Sequence, residues 1–160
     1  MTSVRDLPRA HTPAGGYGST MPPPILAGCA DPVVAGAPDL AGTWRVVEAW
    51  DADGPLAYDH PVRRHLERIE QAGDRLVVTG GGVVHDMVVD GVPEHGVDDV
   101  MAADLTTRIV VAASYEDDAL VLRPEGMPGV VVRRWRDGDH LLWAYHDLFT
   151  ARLERTDPAP

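Results

Sequence analysis

The sequence predicts an all-β fold of eight to ten short antiparallel strands behind an extended N-terminal arm. Three observations point there. From Asp39 onward, β-rich runs recur at even spacing between Gly, Asp and Pro, as in a barrel or sandwich. The breaks Ala72-Gly73-Asp74, Glu116-Asp117-Asp118 and Asp137-Gly138-Asp139 are tight and acidic, the kind of turn that joins sequential antiparallel neighbours. Up to Ala37, by contrast, the chain is rich in Pro, Gly and Ala and has no sustained periodicity.

Residues 1–37 therefore read as an arm. It is either a disordered tail or, because Ile25, Leu26, Val33 and Val34 give it apolar surface, a docked lid across an open barrel end. Residues 38–157 form the β domain and residues 158–160 a tail. Strands are predicted over 43–50, 66–71, 75–79, 83–90, 97–104, 108–116, 119–123, 130–136, 140–147 and 149–155. Between Asp51 and His65 the texture differs: Asp51-Ala52-Asp53-Gly54-Pro55 reads as a turn, and residues 61–68 open as one helical turn. Gly80-Gly81-Gly82 reads as a bend or bulge between strands.

Composition narrows the function. A chain of 160 residues, 44% apolar, can bury the core of one domain. A net charge of -11 repels phosphate backbones, and no basic-aromatic patch offsets it, so nucleic acid is not an expected partner. No apolar run approaches 18 residues, so no membrane-spanning helix is expected. Lysine and asparagine are absent, which removes Schiff-base chemistry and the phosphate-loop lysine.

Cys29 stands alone, which fits a reducing cytoplasm. Leu26-Ala27-Gly28-Cys29 matches the short lipoprotein consensus, but Pro- and Gly-rich residues precede it where an apolar segment is needed, and a cytoplasmic protein, monomeric or homodimeric, is expected. His60, His65, His85, His95, His140 and His146 lack zinc spacing, and Asp51-Ala52-Asp53-Gly54 lacks the further ligands of a calcium loop, so no metal is expected. No nucleophile elbow or dinucleotide fingerprint is present, and no cofactor is expected.

Leu40-Ala41-Gly42-Thr43-Trp44-Arg45-Val46-Val47 resembles the first strand of calycins, the superfamily of lipocalins and fatty-acid-binding proteins. Thr150-Ala151-Arg152-Leu153-Glu154-Arg155 resembles their closing strand. The resemblance covers about 120 residues. It implies a single antiparallel up-and-down β-barrel in which Trp44 plugs the base beneath a basic residue of the last strand. Arg152 matches that residue, and Glu154 stands where fatty-acid-binding proteins have the tyrosine that completes a carboxylate site, so Arg152 is expected to pair internally. The match to the fatty-acid site is therefore incomplete, and Arg152 stays open as the anionic anchor of a fatty-acid-binding-like carrier.

Strict alternation from Trp44 puts Val46, Glu48 and Trp50 on the inner face, so Glu48 is expected to be buried, either as an ion pair with Arg152, Arg133 or Arg134 or as a group that hydrogen-bonds or deprotonates a ligand. The same rule aligns Leu141, Trp143, Tyr145 and Asp147; Val83, His85, Met87 and Val89; and Ile109, Val111, Ala113 and Tyr115. Together they suggest an aromatic, largely apolar cavity. Glu48 and Tyr145 are the candidate catalytic residues, and Trp50, His85, Met87, Tyr115, Arg133, Trp143 and Arg152 the candidate ligand contacts. With a lid, such a cavity resembles the small calycin-type (4+2) cyclases of spirotetramate and spirotetronate pathways. That resemblance implies cofactor-free closure of a linear polyene; a non-catalytic carrier of an apolar ligand is the alternative.

Overall fold

A computed structural model describes residues 2–156. The expected tail, 158–160, and the last residue assigned to the barrel, 157, lie outside the described residues. The strands are β1 (Gly42–Asp51), β2 (Gly54–Pro55), β3 (Leu66–Ala72), β4 (Arg75–Gly80), β5 (Val83–Val88), β6 (Val97–Val100), β7 (Arg108–Glu116), β8 (Ala119–Pro124), β9 (Val132–Asp137), β10 (His140–Tyr145) and β11 (Phe149–Arg155). Ten of them form one antiparallel sheet in the order β5-β4-β3-β1-β11-β10-β9-β8-β7-β6, and β2 pairs only with β1. The sheet curls into a nearly closed barrel, the calycin fold. A short 3-10 turn, Pro61–Arg64, stands where one helical turn is expected.

At one end, the base, hairpins such as Asp117-Asp118 close tightly. Both aspartates take left-handed backbone, with φ of 51° and 61°, which their short polar side chains tolerate. Trp44 and Leu40, both fully buried, plug this end. Above them Leu76, Met87, Leu120, Leu141 and Leu153 fill the barrel axis. Fully burying each such side chain contributes roughly 1.5–3 kcal/mol.

The barrel is open along one seam, because among the described residues β5 pairs only with β4 and β6 only with β7. The N-terminal arm covers that seam and the adjoining outer wall, and Tyr17 N–H reaches the β4–β5 turn, donating to Gly82 O at 3.0 Å. Val4 and Leu26 pack on Ala72, Val77 and Val84, which is why every residue of β4 is buried although the strand has two faces. Thr12 Oγ1 accepts from the free Val84 N–H at 2.9 Å, and Arg9 Nη2 donates to Asp86 O at 2.7 Å and Gly96 O at 2.7 Å, so one arginine spans both edges. Beneath the arm, Arg75 is paired with Asp86 and donates to Val4 O at 2.8 Å and Leu7 O at 2.7 Å. Prolines at 8, 13, 22, 23 and 24 hold the arm extended and remove the N–H groups that would let it add as a strand.

Candidate functional site

The residues that face inward near the other end, the mouth, build a polar cluster inside apolar walls. On β3, buried Ile69 fixes the inward parity, and Glu67 shares it. On β9, buried Val132 does the same for Arg134 and leaves Arg133 exposed. Gly80 lies opposite Glu67 in the ladder, and a Cβ there would stand 2.8 Å from the Glu67 Cβ, so only glycine admits this carboxylate.

Glu67 is fully buried and accepts two bonds from Arg134, from Nε at 2.8 Å and Nη2 at 3.1 Å, and a third from His65 Nε2 at 2.8 Å. Burial pushes its pKa up. The Arg134 charge, with the His65 and Arg134 hydrogen bonds, more than offsets this and holds Glu67 at about 2. It is a carboxylate at all physiological pH. His85, also largely buried, hydrogen-bonds Val100 O at 2.9 Å; burial pushes its imidazole below 6.5, and the nearby Arg134 charge acts the same way.

The aromatic part adjoins this cluster. Arg134 lies 5.0 Å above the Trp143 ring, and the His65 ring is 4.6 Å from it. Phe149 meets Trp143 edge-on at 5.0 Å and stacks on Tyr145 at 5.6 Å. The Trp143 indole N–H, although buried, has no hydrogen-bond partner among the described residues. Leaving such a donor unmet costs about 1–3 kcal/mol. Phe149 also lines a pocket of about 240 Å³ at the rim, with Trp50, Asp51, Ala52, His146, Asp147 and Thr150. It stands between open groove and buried cluster.

Of the expected site residues, Trp143, Tyr145 and His85 belong to this region. Met87 is fully buried core, and Tyr115 lies towards the base, where Gln71 Nε2 donates to its hydroxyl at 3.0 Å; Asp147 falls in an exposed turn rather than on β10. Four expectations are overturned. Glu48 is not buried: its side chain is 65% exposed and sits 3.6 Å from Arg152 Nε on the outer surface. The cause is a β-bulge between Val46 and Glu48, where the register with β11 shifts and the alternation reverses. Trp50, paired with Thr150 beyond the bulge, consequently lies on the rim instead of the inner lining. Arg133 points outward. Arg152 also points outward, bonding Asp137 Oδ2 at 3.0 Å, and Glu154 pairs with Arg45 on the surface, not with Arg152. The basic residue over Trp44 is Arg155, 4.6 Å from its ring, with Arg136 at 5.4 Å.

Pattern reading offers Arg134 as a partner for Glu48 and misses that Glu67, with His65, is what it meets. The signal lies in their i±2 neighbours, Ile69 and Val132. No cluster of three or more metal-ligating side chains occurs among the described residues, and no helix there is long and apolar enough to cross a membrane.

A calycin-type barrel with a polar-aromatic cluster under its mouth is thus the class these elements define. The chain superposes on the solved structure of human cRBP IV, a cellular retinol-binding protein, with a TM-score of 0.54 and 18% identity over 74% of this chain and 98% of that one. At that identity the likeness shows the fold. No protein-family model and no curated protein matches the sequence.

Proposed function

We propose that the barrel binds an apolar small molecule through its mouth, with the ligand's carbon chain against Trp143, Tyr145 and Phe149 and one acceptor oxygen on the Trp143 indole N–H. The observation that carries this reading is that buried, unpartnered donor, set among aromatic faces behind a rim pocket. A ligand oxygen there would satisfy a donor that the fold leaves unmet. The shared fold with a retinol-binding protein supports an apolar ligand. The single cysteine, which leaves no internal disulfide to form, supports a cytoplasmic setting.

In its finer form the proposal is catalysis: a cofactor-free (4+2) closure of a linear polyene. Glu67 is tied to Arg134 and His65, so the buried carboxylate is engaged within the protein, which supports a closure that does not call on it as a general base. In such a closure two carbon-carbon bonds form, no atom leaves, and a carbonyl on the Trp143 N–H is polarised while Tyr145 and Phe149 hold the chain folded. Glu48 lies outside the barrel and has no part in this scheme.

Titration with methyl cis-parinarate, a fluorescent polyene ester, tests binding. Saturable enhancement that weakens about fivefold to tenfold in Trp143→Phe is expected; equal binding by the variant would overturn the assignment. Incubation with a linear polyene bearing an activated alkene tests turnover, which predicts a product of unchanged mass formed faster than without protein.

A further inference from the structure

We infer that the site selects uncharged ligands and rejects carboxylates, because the one arginine buried in the cluster is neutralised by the chain's own Glu67. This rests on the ligand-binding reading above and specifies the ligand's polar end.

Arg134 is 6% exposed and turns its Nε and Nη2 edge onto Glu67 in two parallel bonds. That is the geometry a ligand carboxylate would seek from a guanidinium. The edge is already taken by an acid that is covalently part of the barrel and needs no ordering on arrival. The pair carries no net charge, so a buried ligand anion would meet no compensating cation there and would lie near the ionised Glu67. The remaining neighbours do not reverse this. His65 is spent on Glu67, and His85 is engaged with Val100 O. Outside, a net charge of -11 also disfavours an approaching anion.

A neutral oxygen faces none of these barriers. A hydroxyl, ester or ketone can accept from Trp143 Nε1 without disturbing the ion pair, and Arg134 over the indole face strengthens the ring's N–H as a donor. The ligand class is therefore a long apolar alcohol, ester or ketone.

The test compares cis-parinaric acid with its methyl ester, at about pH 8, where a carboxylic acid is ionised. The wild-type protein is expected to bind the ester at least about tenfold more tightly than the acid. Glu67→Gln, which keeps the shape but frees Arg134, is expected to move that ratio at least about tenfold towards the acid. The double variant Glu67→Gln/Arg134→Gln is expected to keep ester binding and gain none for the acid, and it serves with the wild-type ratio if the single variant does not fold. Equal wild-type affinity for acid and ester overturns the inference and leaves the binding reading standing, as does an unchanged ratio in a folded Glu67→Gln. If neither probe binds the wild-type protein, the binding reading falls and takes this inference with it.

Discussion

Trp44 and Trp143 stand towards opposite ends of one barrel, each with an arginine over its ring, and they differ in how their indole N–H groups are met. Trp44 donates to Leu40 O at 3.0 Å and is covered by Arg155 and Arg136. Trp143 lies under Arg134, which is itself buried and held by Glu67, and its N–H meets nothing among the described residues. The first is a closed structural plug. The second has the same parts and one bond left open, next to a rim pocket, which is where a partner from solution can add something the fold lacks.

Trp44→Ala should break the plug most severely, with a loss of about 3–5 kcal/mol in denaturant unfolding, since a large side chain with no room to collapse is removed and the Leu40 carbonyl loses its donor. Acid is next. Glu67 has its folded pKa held at about 2 against an ordinary 4.5, so its stabilisation is complete above pH 4.5 and is lost as pH falls towards 2. The loss is on the order of 3 kcal/mol. His85, depressed below 6.5 by burial, adds a smaller loss in the same direction that begins as pH falls through 6.5. Stability measured by circular dichroism against pH should therefore fall in two stages, and Glu67→Gln should flatten the lower one.

Trp143→Phe sharpens the contrast from the other side. Because no hydrogen bond is lost and a desolvated donor disappears, its cost in the ligand-free protein should not exceed about 1 kcal/mol, well below that of Trp44→Ala. Smallest of all is Glu48→Gln. An exposed ion pair with Arg152 contributes little, and a change within about 0.5 kcal/mol is expected, with no effect on ester binding.

The ten strands of the main sheet, their turns and the Gly-Thr-Trp plug are legible in the sequence because each rests on local signals, period-two runs, acidic or glycine turns and a motif at the end of a strand, although the strand expected over 97–104 gives way to turn after Val100. The two-residue β2 carries no such signal. The lining of β7 and of β10 through Tyr145 follows from alternation, and so would Glu67 and Arg134 if Ile69 and Val132 are taken as the markers of parity. Glu48 and Trp50 do not follow, because one extra residue in β1 reverses everything beyond it, and nothing in Val46-Val47-Glu48 announces the bulge. The assignment of Arg152 fails for a related reason. Arg152 and Arg155 are three apart and so lie on opposite faces; the register Trp44 with Arg155, which chooses between them, is a property of the paired strands. The arm is legible as an arm, but its place on the β5–β6 seam depends on a gap that only the closed sheet creates.

The most direct measurement is the side-chain region of a ¹H–¹⁵N correlation spectrum, in which each of the four tryptophans contributes one indole resonance. On saturation with methyl cis-parinarate, the Trp143 indole proton should move downfield as it gains an acceptor, while that of Trp44, already bonded to Leu40, should stay in place. A Trp143 resonance that does not move, or one that moves no more than that of Trp44, would contradict the account.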